Sequence, residues 1–326
     1  MAGFAVVGLG MGYNRAKLIQ ETEGAKLRVV VDLNEELARK AGGEFSTDWT
    51  TDLDEALARS DVDVVMVMTP SGTHADLGCQ AAQAGKHVIT TKPMDVSTEA
   101  CDRLIEACKT AGVLCGVDYQ SRYVDNNFRV AEGLRQGILG KPILGEVRFK
   151  WFRSQDYFDA GGGWRGTWKM DGGGSLANQG AHLLDLLCWF MGDAERVYGE
   201  TAIMNHEIET EDIGLAIVNF KSGAKGTVLG TTTFPESVYF SAEVHGTKGG
   251  ILVDDVLGGG MRIFGEGIEA ALMTIENPIA HIVDDVLKAL DTGSALRVDG
   301  NEGRRTVALL ETIYSSARLG KPVGIS

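Results

Sequence analysis

FAVVGLGMGYNRA at residues 4–16, followed by LRVVVD at residues 27–32, decides the architecture. An apolar strand runs straight into glycine, a helical segment follows, and a second buried-type strand ends on Asp32. Strand, glycine turn, helix, strand and terminal acid, in that order, form the dinucleotide-binding βαβ unit. Gly8 and Gly10 let the backbone turn tightly and approach a pyrophosphate, which the N-terminus of the next helix attracts. Met11 and Gly12 lie in the same turn. Asp32 accepts hydrogen bonds from an adenosine ribose diol and repels a 2′-phosphate, which favours NAD over NADP. The spacing departs from GxGxxG at its third glycine: Gly12 arrives one position early and Tyr13 stands where glycine is expected.

The alternation of strand and helix continues to about residue 119. A helix over 34–41 precedes one around 53–60 opened by Asp52. VDVVMVM (62–68) then reads as a fully buried parallel strand, with Thr69, Pro70, Ser71, Thr73 and His74 in its C-terminal loop. A helix to Gly85 leads to the strand HVIT and to Thr91, Lys92 and Pro93. A helix over 98–111 leads to the strand VLCGVDYQ. In such sheets ligands sit beyond the carboxyl ends of the strands. Residues 69–74, Lys92, Gln120 and Arg122 all fall at that edge. Gln120 and Arg122 either anchor substrate or pair with a carboxylate of this acidic chain.

Past about residue 142 the pattern becomes a run of β-branched strands joined by hairpin-like turns, with a closing helix over about 301–319. An α+β domain around a mostly antiparallel sheet is expected. The chain therefore reads as α/β, with a dinucleotide-binding domain over 1–120 and a second domain over 121–326.

Its 326 residues are 44% hydrophobic and 23% charged, the composition of an ordinary globular protein. A net charge of −14 with no lysine or arginine cluster argues against nucleic acid and anionic membranes as partners. No apolar run reaches transmembrane length, and the first residues form a strand rather than a signal peptide, so a cytoplasmic protein is expected. The five cysteines form no CxxC pair and the six histidines no HxH or HExxH pattern, so reduced thiols and no metal are expected.

GGGSLANQGAHLLD at 172–185 carries the chemistry. Three glycines lead into a helix that bears Asn178, His182 and Asp185 at i, i+4 and i+7, on one stripe. The rest of that helix is apolar on nearly every side, hence buried, and its polar row needs partners. Asp185 either fixes the imidazole tautomer or belongs to a core pair. WRGTW at 164–168 places Trp164, Trp168 and Arg165 in a glycine-rich loop just before it. The indoles either stack on a sugar face or plug the core beneath the loop. Tyr157 and Asp171 are lesser candidates.

The glycine loop, TPSGTHA, AGKHVITTKP, GGGSLANQGAHLLD and the terminal EGRRTVALLETIYSSARLGKPV resemble the glucose–fructose oxidoreductase, inositol dehydrogenase and MocA family over nearly the whole chain. The resemblance implies a Rossmann domain joined to an open-faced α+β domain and a tightly bound nicotinamide dinucleotide. It also implies oxidation or reduction of a sugar or cyclitol carbon. Lys92 matches the lysine of the family's EKP motif, beside the nicotinamide and the reacting hydroxyl. His182 matches the proton acceptor or donor, and Asn178 falls where many members carry aspartate. Thr91 replaces the motif's glutamate, which in the family contacts the nicotinamide half, and Asn178 cannot accept a proton as a carboxylate does, so His182 carries that role more alone. A homodimer or homotetramer through the C-terminal sheet is implied by resemblance alone. An NAD-dependent glycosidase or epimerase with internally recycled cofactor, and a non-catalytic dinucleotide-binding regulator, are the alternative functions.

Overall fold

The computed structural model describes residues 1–236 and 239–325. The chain falls into two compact units, Met1–Asp118 with His281–Arg304, and Tyr119–Ala280 with Arg305–Ser326. The stretch 281–304, which the sequence reading assigns to the second domain, thus clusters with the first.

The first unit runs β1 (Ala2–Val7), α1 (Gly12–Glu21), β2 (Ala25–Val31), α2 (Glu35–Phe45), β3 (Asp48–Thr50), α3 (Leu53–Leu57), β4 (Val64–Val67), α4 (His74–Gln83), β5 (His87–Thr91), α5 (Thr98–Ala111) and β6 (Cys115–Asp118). Its six strands are parallel in the order β3-β2-β1-β4-β5-β6. Strand order reverses between β1 and β4, the point at which such sheets open a ligand crevice beyond the strand ends. Every residue of β4 is buried, as expected of a parallel strand covered on both faces. Side-chain caps set the helix starts: Asn34 accepts the Leu37 N–H at 3.2 Å, and Ser97 accepts the Ala100 N–H at 3.2 Å. The Gly42-Gly43 pair, which reads as a helix stop, stays helical. A β-carbon at Gly42 would lie 2.6 Å from Trp49 Cδ1, so the glycine lets β3 approach α2. The three-residue β3 has no apolar run to announce it in the sequence.

The second unit holds α6 (Asp125–Arg135), β7 (Pro142–Lys150), α7 (Gln155–Asp159), α8 (Ala181–Met191), β8 (Ala194–Ala202), β9 (Ile213–Phe220), β10 (Lys225–Thr231), β11 (Tyr239–Gly246), β12 (Gly250–Val253), β13 (Met261–Phe264) and α9 (Ile268–Met273). The helix α10 (Ile282–Thr292) belongs to the first unit. The long α11 (Gly300–Leu319) contributes its start to the first and its remainder to the second, before β14 (Val323–Gly324). The eight strands lie in the order β13-β12-β11-β7-β10-β9-β8-β14, antiparallel except for the β7–β10 pair. In the expected strand at 238–246, Val238 lies outside the described residues.

Strict alternation sends Val147, Phe149, Val218, Val228 and Val244 to one face, where they pack with Leu183, Leu184, Leu187 and Met191 of α8. Each of those leucines contributes about 1.5–3 kcal/mol by burial. The opposite face presents Leu215, 44% exposed, and Ile217, 53% exposed, in register with Leu229 and Thr227. Among the described residues no helix is long and apolar enough to cross a membrane.

Candidate functional site

The glycine turn begins where β1 ends. The Gly8 N–H donates to the Val31 carbonyl at 2.8 Å. Gly8 has φ +87°, and a β-carbon there would also lie 2.9 Å from the Met68 carbonyl oxygen. Asp32 accepts the Leu9 N–H on Oδ2 at 2.7 Å and the Asn34 N–H on Oδ1 at 2.9 Å. A carboxylate offers about four lone-pair positions, so both oxygens keep capacity for a ribose diol. A β-carbon at Gly10 would meet nothing within 4 Å, which leaves the outer side of the turn open to a pyrophosphate. At Gly12 it would meet Val6 Cγ1 at 2.9 Å and Met68 Cβ at 3.1 Å. Gly12 therefore supplies the close helix–strand packing assigned to the third glycine of the motif. Tyr13 turns to α2, where its hydroxyl donates to Glu44 and its ring centroid lies 4.9 Å from that of Phe45. Met11 is exposed at the head of α1. The turn thus fits a dinucleotide despite its irregular spacing.

The loop after β4 is tied internally. Thr69 Oγ1 lies 2.7 Å from Thr73 Oγ1, which donates to the Pro70 carbonyl at 2.7 Å. His74 is fully buried, with Nδ1 2.9 Å from the Pro93 carbonyl and Nε2 2.8 Å from the Thr69 carbonyl. Burial pushes its imidazole below the usual range. His74 therefore lies between the Thr69 loop and the Lys92-Pro93 turn and, as a neutral imidazole, donates to one of the two carbonyls. The sequence reading places His74 among the cofactor contacts, whereas its ring here is buried against these two carbonyls. Ser71 and Pro93 are buried too, and Thr91 and Lys92 are half-buried. Lys92 directly follows β5, whose register sets Thr90 beside Val67 and Thr91 beside Asp118.

In the second unit, 175–191 is not one continuous helix. Ser175–Gln179 form a π-helical turn, closed by the Gly180 N–H on the Ser175 carbonyl at 2.9 Å, and α8 begins only at Ala181. Asn178 and His182 therefore do not share a regular α-helical stripe. The buried Glu211 carboxylate shapes the turn. It accepts the N–H of Gly174 at 3.0 Å and of Leu176 at 2.8 Å, and the Tyr314 hydroxyl at 3.0 Å. Sequence reasoning missed Glu211, because an acid opening a strand reads as a solvated turn residue. Gly174 is packed so closely that a β-carbon would fall 1.8 Å from the Glu211 carbonyl oxygen. Gly174→Ala is expected to cost about 1–3 kcal/mol, read as a lowered denaturation midpoint, because a backbone atom cannot swing aside.

Burial raises the Glu211 carboxyl from its ordinary value to about 7. Between about pH 4.5 and about pH 7 the folded protein holds a proton there that the unfolded chain has released. Stability from this group is therefore greatest at low pH and falls as pH rises through 7. Relative to Glu211→Gln, the wild type should lose up to about 3 kcal/mol between about pH 5 and about pH 8 in denaturation curves. A pH-independent difference would contradict this reading.

Asn178 is held by Asp171, which accepts the Asn178 amide at 2.8 Å on Oδ1 and the Gly166 N–H at 2.9 Å on Oδ2. His182, 8% exposed, has Nδ1 3.4 Å from the Ser121 hydroxyl, and its ring stands edge-on to Tyr119 at 5.9 Å between centroids. Arg122 does not face a substrate. It is 1% exposed and grips Asp185 bidentately, with Nε–Oδ2 at 2.8 Å and Nη2–Oδ1 at 2.7 Å. Thr306 adds a hydroxyl to Asp185 Oδ1 at 3.2 Å. Asp185 is thus the core pair, and of the two readings of Arg122, substrate anchor or carboxylate partner, the second describes it. Gln120 is exposed at the head of a 3-10 turn, Gln120–Tyr123. Trp164 and Arg165 are half-buried, stacked at 4.8 Å. Trp168 is 43% exposed and edge-on to Tyr314, so it does not plug the core.

Residues 2–119 match the oxidoreductase family with an NAD-binding Rossmann fold, and 129–252 match the GFO/IDH/MocA C-terminal domain. The chain belongs to the GFO/IDH/MocA family. It is an oxidoreductase, and its first unit is that family's NAD-binding Rossmann domain. It is 31% identical over 260 residues to the scyllo-inositol 2-dehydrogenase (NAD(+)) of Bacillus subtilis, covering 76% of this chain and 72% of that protein. Among solved structures it resembles the WlbA dehydrogenase of Bordetella pertussis, in complex with NADH and UDP-GlcNAcA. The TM-score is 0.91 at 32% identity, over 100% of this chain and 98% of that one. The WlbA dehydrogenase of Chromobacterium violaceum, in complex with the same two molecules, matches at 29% identity and TM-score 0.91, over 100% and 96%.

Proposed function

We propose that this GFO/IDH/MocA oxidoreductase is an NAD-dependent dehydrogenase acting on a secondary alcohol of a sugar, sugar derivative or cyclitol. His182 is the acid/base and Lys92 polarises the reacting hydroxyl. The observation that carries the reading is a buried imidazole at the head of α8, set four residues after an asparagine whose amide Asp171 holds. Imidazole titrates near pH 6.5 in water, which suits proton transfer from an alcohol near neutrality. Bound NAD supplies the hydride acceptor. The Lys92 ammonium stabilises the alkoxide that develops as the proton leaves, a contribution of about 3 kcal/mol for a pre-placed donor. Asn178 cannot accept a proton as a carboxylate does, so it orients substrate.

The names of the relatives widen the substrates to test from inositols to nucleotide-linked uronates. NADH formation with inositols, aldoses, uronates and nucleotide sugars tests the reading, with Lys92→Ala and His182→Ala as controls. A glycoside consumed with no net NADH would instead favour an internally recycled cofactor. We also propose a cytoplasmic homodimer or homotetramer joined through the open sheet face. Exposed Leu215 and Ile217 beside Leu229 support that assembly.

A further inference from the structure

We propose that Arg153 and Arg165 form an oxyanion subsite in the second unit, so that the sugar acted on is an anionic one. It would carry a carboxylate or phosphate away from the reacting carbinol. This rests on the dehydrogenase reading above. The Arg153 guanidinium lies 4.2 Å over the Trp151 ring and 4.6 Å over Tyr157. Arg165 lies 4.7 Å from the same Tyr157 ring and 4.8 Å from Trp164. A guanidinium set over aromatic rings keeps its edge N–H groups, which take up carboxylate or phosphate oxygens.

Arg122 pairs with Asp185, and Arg59 with Asp48 and Asp61. Neither Arg153 nor Arg165 pairs with a carboxylate of the described residues. Arg153 Nε is buried without a hydrogen-bond partner, and its Nη1 reaches only the Phe152 carbonyl, at 3.4 Å. Arg165 Nη1 has the Ala160 carbonyl at 3.3 Å and the Tyr157 carbonyl at 3.5 Å. A buried donor in the state of Arg153 Nε is costly until an acceptor completes it.

The array is also joined to the acid/base segment. The Tyr157 hydroxyl accepts from Gln179 Nε2 at 2.9 Å, the residue after Asn178. Gly166, the residue after Arg165, donates to the Asp171 that holds Asn178. The frame is thus tied by hydrogen bonds to the turn that precedes His182.

A cleft of about 480 Å³ lined by Arg165 is also bordered by Asp159, Glu207 and Glu209. Asp159 takes the Gln155 amide at 2.9 Å and Glu209 the Trp168 N–H at 3.1 Å. These neutral donors leave Asp159 and Glu209 charged, so together with Glu207, exposed at the rim, three carboxylates oppose an anion there.

Binding is measured by titration calorimetry on protein saturated with NADH, so that the dinucleotide site is filled. The probes are UDP, glucuronate and, as neutral controls, glucose and myo-inositol. UDP or glucuronate should bind more tightly than the neutral sugars, and the one that does identifies phosphate or carboxylate as the anion. Arg153→Gln and Arg165→Gln should each weaken that binding about ten- to a hundred-fold, and Glu207→Gln should tighten it. Wild-type binding of the anion should weaken with added salt while that of the neutral sugars does not, a readout independent of any variant's folding. The proposal is overturned if neither anion outbinds the neutral sugars, or if folded arginine variants keep the wild-type preference. Because no turnover is read, a failed dehydrogenase assay would leave this result standing on its own.

Discussion

Replacing His182 with alanine should lower kcat by about a hundred- to ten-thousand-fold while NADH still binds, since general acid–base catalysis contributes on that scale. Asp32 and the glycine turn belong to the first unit and His182 to the second. A loss of kcat with unchanged NADH affinity marks an interaction made in the transition state rather than in binding. The Ser121 hydroxyl at Nδ1 gives the ring an orienting partner, so Ser121→Ala should produce a smaller loss of the same kind. Calorimetric titration with NADH and initial rates together check this.

The second large effect is on stability. Arg122→Ala is expected to destabilise the protein by about 3–5 kcal/mol, because it strands a buried carboxylate without its charge partner. The pair is 1% and 0% exposed, its two hydrogen bonds are 2.7 and 2.8 Å long, and the guanidinium also stacks 5.0 Å over Trp189. Asp185→Ala should cost a similar amount. Replacing both residues by apolar side chains of similar volume should recover most of the loss, since the pair's attraction roughly offsets its desolvation. Denaturant unfolding of the two single variants and the double variant measures it. If Arg122→Ala unfolds like the wild type, the pair is not what holds α8 to the turn before α6.

The Rossmann unit was legible because its strands are short continuous apolar runs punctuated by glycine and capped helices. Gly8, Gly10 and Asp32 lie where that pattern puts them, and Gly12 takes the packing role one position early. What stayed hidden depends on contacts far apart in sequence. The π-helical turn at 175–179 reads as ordinary helix, because its cause is Glu211, more than thirty residues downstream. Arg122 sits at a strand end, where a ligand contact is a fair expectation, yet its partner Asp185 is 63 residues away. His74 falls in a loop motif that suggests a cofactor contact, whereas its ring is buried between two carbonyls. The two-residue β14 leaves no periodicity to detect, and β13 is only four residues long. Local pattern thus carried the alternation of strand and helix, while the wiring of polar groups beneath α8 required the packed chain.

The most direct test is NADH formation by the wild type, Lys92→Ala and His182→Ala with NAD⁺ across inositols, aldoses, uronates and nucleotide sugars. The account predicts turnover with a compound bearing a secondary alcohol, abolished in both variants while each still binds NADH. Wild-type turnover that survives in His182→Ala would contradict it.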